Sequence, residues 1–222
     1  MGKRESIKVI TSNGTGEIVE KKSRFIGNVF AVSSAKEAEE KIAEISKKYW
    51  DARHNCYAYV IGENGENTKC SDNGEPSGTA GKPILDVLDK SGIANCLIIV
   101  TRYFGGTLLG TGGLIRAYSE AAKSGIEASG IMEVKKGIQA QIDADYNSFG
   151  KIQYMCMERN IIITNTEYGE NIHINMIIEE SEYAHFQKAV ADAFAGRLEI
   201  VKNDNVIFGI YDGMVQILTS NN

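Results

Sequence analysis

The sequence predicts an α+β protein with two domains, residues 1–130 and residues 131–222. Two observations favour this class. Extended apolar segments alternate with amphipathic helices in the first part, and the elements of the second part follow the order βαββαβ, which is the ferredoxin-like plan. A chain of 222 residues has room for one large or two small domains. The segment 130–136 lies between the two sets of elements, which favours two domains.

The first domain is predicted to begin with three extended segments, at 7–10, 17–22 and 24–32. Asn13, Gly14 and Gly16 predict a turn between the first two segments. Ser34 and Glu37 form a capping box, and apolar residues at helical spacing follow it, so an amphipathic helix is expected there. Its charged residues are expected to face solvent.

Residues 54–61 alternate in a way that predicts a central strand with apolar cover on both faces. His54 and Cys56 fall on one face, and Tyr57 and Tyr59 fall on the other. A neighbouring Cys and His could form a nucleophile and base with an acidic residue. The alternative is that Cys56 acts as a small buried hydrophobe and that His54 is a hydrogen-bonded structural residue.

The stretch 72–118 organises the first domain, because it contains both prolines and nine of the glycines. The continuously apolar segment 96–101 predicts a buried strand, which leads through a glycine-rich loop into a helix at 114–128. A shorter helix is expected at 83–90. A strand, glycine loop and helix in this order often form an anion site, because the first helix amides have no internal partner.

The established nucleotide-binding motifs do not fit these glycines. Pro76 occupies the position of the first P-loop glycine, and Ile115 that of the last glycine of the dinucleotide fingerprint. Glycines that only shape turns remain the alternative reading. Asp72 and Glu75 could likewise face solvent or cap neighbouring loops by accepting backbone amides.

The second domain is predicted from a regular series of patterns. Its core elements are a strand at 134–144, a helix capped by Asn147 or Ser148, a hairpin at 161–178, a helix from Ser181, and a strand at 198–201. Two further apolar strands are expected at 206–211 and 214–218. Their positions in a sheet do not follow from the pattern.

Composition indicates a cytoplasmic protein without a membrane span, cofactor or metal. The longest apolar run is far too short to cross a bilayer, and no secretory signal is expected. The four cysteines have no paired spacing and no metal-like spacing with the three histidines. Reduced thiols in the cytoplasm are therefore expected.

Charge differs between the two parts. Residues 1–130 carry 17 Lys and Arg against 16 Asp and Glu, whereas residues 131–222 carry 7 against 13. Proteins that bind nucleic acid usually present a basic domain or stripe. The second domain is therefore a poor candidate, and the first could bind an anion only through a local patch.

Three motifs resemble the IMPACT (YigZ-like) family. They are Asp72-x-Gly-Glu-Pro-x-Gly-Thr-Ala-Gly-x-Pro83, Thr101-Arg-Tyr-Phe-Gly-Gly106 and Leu109-Gly-x-Gly-Gly-Leu-x-Arg-Ala-Tyr118. His54-x-Cys56-x-Ala58 and Ser23-Arg-Phe25 are similar too. The resemblance implies an N-terminal fold related to ribosomal protein S5 domain 2 and to elongation factor G domain IV. It also implies a C-terminal domain similar to domain V of that factor.

The resemblance implies a role linked to translation or RNA, because eukaryotic relatives regulate translation by binding a protein partner. The primary hypothesis is a non-enzymatic binding protein that contacts RNA, the ribosome or a translation-associated protein. The proposed binding residues are Arg53, His54, Asp72, Glu75, Gly78, Thr79, Lys82, Arg102, Tyr103, Gly105, Gly106, Gly112, Gly113 and Arg116. Tyr103, Phe104 and Tyr118 are expected to be available for base stacking.

Two alternatives remain at this stage. The first is an enzyme or a binder of small anions such as phosphate, using His54, Asp72, Glu75 and the glycine loops. The second is a protein-interaction module in which the stretch 72–118 is purely structural. Turnover lost in His54→Ala would favour the first, whereas tolerance of Arg102→Ala and Arg116→Ala would favour the second.

Overall fold

The computed structural model describes residues 6–62 and 64–218. The chain divides into two compact units, one ending at Glu133 and the other beginning at Val134. Both units are mixed α+β, as the sequence predicts. None of the helices in the described ranges is both long and apolar enough to cross a membrane.

The first unit is built on an antiparallel sheet with the order β2-β3-β6-β4-β5. The strands of this unit are β1 Ser6–Ile10, which lies outside that sheet, and β2 Gly14–Glu20, β3 Ser23–Ala31, β4 His54–Ile61, β5 Asn67–Ser71 and β6 Cys96–Tyr103. Its helices are α1 Ala35–Lys48, α2 Gly81–Ser91 and α3 Gly110–Ser129. The central strand β6 is buried along almost its whole length, which explains why its sequence is continuously apolar.

The two faces of this sheet are covered by different helices. Cys56 and Ala58 of β4 point into the core shared with α2 and α3. Tyr59 of β4 and Leu97 of β6 point into a second core beneath α1. The predicted alternation along β4 is therefore confirmed, and the row that begins with His54 lies on the side of α2 and α3.

Glycine lets α3 approach the sheet closely. A Cβ atom placed on Gly27 of β3 would lie 2.2 Å from the carbonyl oxygen of Ala121 in α3. A Cβ atom on Gly125 of α3 would lie 2.7 Å from a methyl group of Val29. Both distances are far below van der Waals contact, so neither position accepts a side chain without moving the helix.

The first hairpin differs from the sequence prediction. Gly14 and Gly16 lie within β2 and do not form the expected turn. A separate turn, between β2 and β3, is made by Lys21 and Lys22, whose φ angles are 45° and 67°, although the sequence prediction placed both residues in the extended segment 17–22. Two-residue hairpin turns of this kind favour Asn and Gly, so a Lys pair gives no turn signal.

The second unit has the ferredoxin-like sheet order β10-β7-β9-β8, with β11 added beside β10. Its elements are β7 Ile131–Ala144, α4 Tyr146–Glu158, β8 Ile162–Tyr168, β9 Ile172–Glu179, α5 Tyr183–Ala193, β10 Ile200–Tyr211 and β11 Met214–Leu218. Phe186 of α5 and Ile142 of β7 are among the fully buried side chains of its core. The predicted fold class is thus confirmed.

Two local predictions in this unit were wrong. Asp145 caps α4, because its side chain accepts a hydrogen bond from the Ser148 amide, whereas Asn147 or Ser148 was expected. The two strands predicted at 198–201 and 206–211 are replaced by one strand, β10, which begins at Ile200. A register shift between Lys202 and Asn205 interrupts its pairing with β7, which explains why the polar middle of β10 resembles a loop.

Candidate functional site

A cleft of about 480 Å³ lies where β4 begins and β6 ends in the first unit. Its volume is in the range of small-molecule binding sites. Its lining includes Arg53, His54, Arg102, Tyr103, Phe104 and Leu108. Four of the fourteen predicted binding residues therefore meet at one place, because antiparallel pairing puts His54 of β4 opposite Arg102 of β6.

Arg102 forms the floor of this cleft and is not an exposed cation. Its Nη1 donates a hydrogen bond to Oε1 of Glu75 at 2.7 Å, and the two side chains are only 8% and 4% exposed. The guanidinium lies 5.3 Å from the ring centre of Phe25 and 5.6 Å from that of Phe104. The positive charge is therefore neutralised by a buried carboxylate and stacked between two aromatic rings.

Glu75 ties the loop after β5 to the sheet. Its Oε1 also accepts a hydrogen bond from the Tyr118 hydroxyl at 2.8 Å. Tyr118 is fully buried, so it is not available for base stacking as the sequence suggested. Burial, together with the neighbouring Cys56 and Glu75, raises the pKa of Tyr118 far above its ordinary value, which keeps the hydroxyl protonated as a donor.

Asp72 caps the loop that precedes α2. Its carboxylate accepts hydrogen bonds from the amides of Gly78 at 2.8 Å, Ala80 at 3.0 Å and Gly81 at 2.8 Å. Partial burial favours a higher pKa for Asp72, but these three bonds outweigh it and hold the pKa below its ordinary value. The first amides of α2 are therefore occupied by the protein's own carboxylate, so the capping alternative is confirmed.

His54 is oriented by the same loop. Its Nδ1 lies 2.9 Å from the carbonyl oxygen of Asn73. A carbonyl oxygen only accepts hydrogen bonds, so Nδ1 carries the proton and Nε2 of the neutral ring is an acceptor. Within the described ranges, Nε2 has no hydrogen-bond partner in the protein. It is not buried, so solvent can reach it.

Cys56 is not an activated nucleophile. Its thiol donates a hydrogen bond to the Asp72 carbonyl oxygen at 2.9 Å and lies 3.4 Å from the Tyr118 hydroxyl. Burial raises the pKa of Cys56 to about 12, so the thiol stays protonated at neutral pH. The structure therefore supports the alternative reading, in which Cys56 is a buried structural residue and His54 is hydrogen-bonded to the loop.

The rim of the cleft is aromatic and apolar. The exposed fractions of Phe104 and Leu108 are 56% and 83%. The Tyr103 hydroxyl donates a hydrogen bond to Asp51 at 2.7 Å, whereas the exposed side chain of Arg53 has no ion-pair or hydrogen-bond partner in the described part of the chain. Sequence reasoning missed Asp51 and Leu108, because neither belongs to a motif with a chemical signature.

The other predicted binding residues lie outside the cleft lining. Lys82 pairs with Asp86 on the surface of α2, and Arg116 is exposed on α3 beyond Gly112 and Gly113. Three of the remaining four residues shape loops: Gly78 and Gly106 have positive φ angles, and the Thr79 hydroxyl bonds to the Pro76 carbonyl.

Gly105 has a separate structural role. Its amide donates a hydrogen bond to Oγ of Ser23, and a Cβ atom at this position would lie 2.0 Å from the Lys22 carbonyl carbon. Gly105 therefore fixes the loop after β6 against the first hairpin. This contact sets the position of Phe104 at the cleft rim.

The chain is therefore a two-domain α+β protein whose first unit carries a cleft where β4 begins and β6 ends. Residues 21–126 match the family described as "Impact N-terminal domain", and residues 142–197 match "Domain of unknown function (DUF1949)". The chain is 42% identical over 191 residues to the IMPACT family member YvyE of Bacillus subtilis, covering 86% of this chain and 88% of that relative. The chain therefore belongs to the IMPACT family.

Two further relatives and one solved structure are also similar to this chain. The IMPACT family member YigZ of Escherichia coli is 30% identical over 183 residues, covering 82% of this chain and 90% of the relative. The Protein IMPACT homolog of Dictyostelium discoideum is 41% identical over 101 residues, but only 43% of this chain and 29% of that protein are covered. A solved structure described as "Crystal structure of an hypothetical protein" has a TM-score of 0.57 and 28% identity, covering 90% of this chain and 98% of that one.

Proposed function

We propose that this protein is a non-enzymatic, translation-associated binding protein that takes single-stranded RNA into the cleft of its first unit. The observation that carries the proposal is the combination of an exposed aromatic ring, Phe104, and an unpaired cation, Arg53, on one cleft. The resemblance of this chain to a family that includes regulators of translation supports the translation-associated role.

Stacking is the main source of affinity in this proposal. Phe104 is 56% exposed, although the guanidinium of Arg102 lies over its ring. A base stacked on an aromatic side chain contributes about 1–3 kcal/mol and needs no particular base identity. Single-stranded RNA suits this geometry, because its bases can leave the stack and reach a protein ring.

The polar groups nearby support binding over catalysis. Asp72 is held by three amides, Glu75 by Arg102 and Tyr118, and the Cys56 thiol stays protonated. Each group that the enzyme alternative would use as an acid or nucleophile is therefore already engaged. His54 is the exception, and its open nitrogen is an acceptor suited to ligand recognition.

A direct binding measurement tests the proposal. Fluorescence anisotropy with a labelled ten-nucleotide single-stranded RNA, together with co-sedimentation with ribosomes, compares the wild type with Phe104→Ala and Arg53→Ala. We expect each variant to bind RNA at least about fivefold more weakly. Arg102→Ala is avoided as a probe because its burial makes it a stability variant.

Matched controls come from the second unit. Tyr154→Ala removes an aromatic ring that is also 56% exposed, and Lys188→Ala removes an exposed cation. Both variants should bind RNA as the wild type does. Equal RNA affinity for the wild type and Phe104→Ala would contradict the proposal. Ribosome binding without RNA binding would point to a protein partner.

A further inference from the structure

We infer that the cleft distinguishes RNA from DNA, because Nε2 of His54 accepts a hydrogen bond from a ribose 2′-hydroxyl group. This inference rests on the proposed function and specifies the ligand more narrowly. It gives His54 a role in ligand selection, because neither the proposed stacking on Phe104 nor the proposed charge contact of Arg53 uses this residue.

The first step is that the loop fixes the His54 ring. The Asn73 carbonyl can only accept, so the hydrogen bond at 2.9 Å requires the proton on Nδ1. The neutral ring then presents Nε2 as an acceptor without a donor capacity.

The second step is that Nε2 is open to a donor from the ligand. His54 lines the cleft, and no described residue donates to Nε2. An ionised phosphate has no hydrogen to give, so the backbone of a nucleic acid cannot satisfy this nitrogen. A ribose 2′-hydroxyl can donate, and it is the group that deoxyribose lacks.

The third step is that the cleft offers one contact for each part of a ribonucleotide. Phe104 presents a ring for the base, Arg53 a cation for the phosphate, and His54 an acceptor for the sugar. Asp51 also lines the cleft and accepts the Tyr103 hydroxyl, but its carboxylate has further acceptor positions, so an Asp51 variant is part of the test. Arg102 offers little charge for a phosphate because Glu75 neutralises it.

Three strands of ten uridine nucleotides test this inference by fluorescence anisotropy: RNA, deoxyuridine DNA and 2′-O-methyl RNA. All three carry identical bases. The 2′-O-methyl strand keeps the ribose oxygen but loses its hydrogen. One hydrogen bond of ordinary strength corresponds to about a fivefold change in affinity. We expect RNA to bind about fivefold more tightly than either of the other strands.

Variants assign this preference to one nitrogen. His54→Asn keeps an N–H group for the Asn73 carbonyl and removes Nε2, so the ratio of RNA affinity to DNA affinity should fall from about five to about one. Thermal unfolding beside the wild type checks that the variant is folded. His173→Asn, which alters an exposed histidine of the second unit, should keep the full RNA preference.

The outcomes separate this inference from the proposed function. If RNA and DNA bind equally and both weaken in Phe104→Ala, the proposed cleft is correct and the 2′-hydroxyl contact is wrong. If the preference survives in His54→Asn, or disappears in Asp51→Asn instead, His54 is not the acceptor. If neither strand binds, both the proposed function and this inference are overturned.

Discussion

Glu75 is the residue on which the geometry of the cleft floor depends. Replacing it with Gln keeps the shape but leaves the buried Arg102 charge without its counter-ion. Breaking a buried ion pair on one side costs about 3–5 kcal/mol, because the remaining charge stays desolvated. We expect Glu75→Gln to lower the free energy of opening by about 3 kcal/mol, measured by hydrogen exchange at the β6 amides.

An exposed ion pair in the same unit provides the control. Glu17 pairs with Arg24 at 2.7 Å, but these side chains are 41% and 52% exposed. Exposed pairs contribute about 0–1 kcal/mol, since water and salt screen them. Glu17→Gln should therefore change β6 exchange by less than about 1 kcal/mol. A similar loss in both variants would show that burial of the Glu75 pair is unimportant.

Asp72 makes the loop before α2 sensitive to acid. Its amide bonds outweigh the effect of burial and lower its pKa in the folded protein, so the ionised form is favoured by folding. The resulting stability is present above the unfolded pKa of about 4 and is lost as pH falls through the folded pKa. We expect urea unfolding to show that Asp72→Asn destabilises the first unit at pH 7.

The same comparison at lower pH gives the decisive result. As Asp72 becomes protonated, the wild type loses the advantage of its carboxylate over the neutral amide. The stability difference between the wild type and Asp72→Asn should therefore shrink progressively below about pH 4. A difference that is constant between pH 7 and pH 3 would mean that the charge of Asp72 does not stabilise the loop.

Sequence reasoning located these residues but could not assign their partners. Capping was one of two readings for Asp72, since short acidic side chains often accept loop amides. Arg102 looked like a ligand-binding cation because it ends an apolar strand. Its burial depends on a long-range contact with Glu75, 27 residues earlier, and on the ring of Phe25 from another strand. No local pattern encodes those contacts.

At the level of secondary structure, contact between α3 and the sheet depends on glycine. Gly27→Ala would place a methyl carbon only 2.2 Å from the carbonyl oxygen of Ala121. Such overpacking typically costs about 1–3 kcal/mol, because backbone must shift. We expect thermal unfolding of the first unit to occur at a lower temperature in this variant.

Gly112→Ala, in α3, is the matched control for Gly27→Ala, in β3. Its nearest neighbour would be the end of the flexible Arg116 side chain, at 3.7 Å. Alanine is favoured over glycine in helices by about 1 kcal/mol, so this variant should be as stable as the wild type or slightly more so. Destabilisation by Gly112→Ala as large as that by Gly27→Ala would argue against the close-packing explanation.

Elements with strong periodicity could be predicted, and those that depend on turn chemistry could not. The buried strand β6 and the amphipathic helix α1 follow from the apolar runs and the capping box. The Lys21-Lys22 turn carries no favoured residue type, and the polar bulge of β10 resembles a loop. The cleft was predicted only in part, because Arg53, His54, Arg102 and Tyr103 were predicted binding residues but Asp51 and Leu108 were not.

The charge of the whole chain determines how RNA binding should respond to salt. The net charge is −5, and residues 131–222 account for the acidic excess, so the overall field repels RNA. Arg53 is the one exposed, unpaired cation of the cleft lining among the described residues. Each neutralised phosphate on a single strand contributes a slope of about −0.7 in a plot of log affinity against log salt.

We therefore expect a slope between about −0.7 and −1.4 over 50–300 mM salt, and a slope reduced by about 0.7 in Arg53→Gln. Added salt also screens the repulsion between RNA and the acidic chain, which makes the slope shallower still. Anisotropy titrations at four salt concentrations measure it. A slope steeper than about −3 would require several further cationic contacts. The binding surface would then extend well beyond the cleft, to cations such as Arg116 of α3.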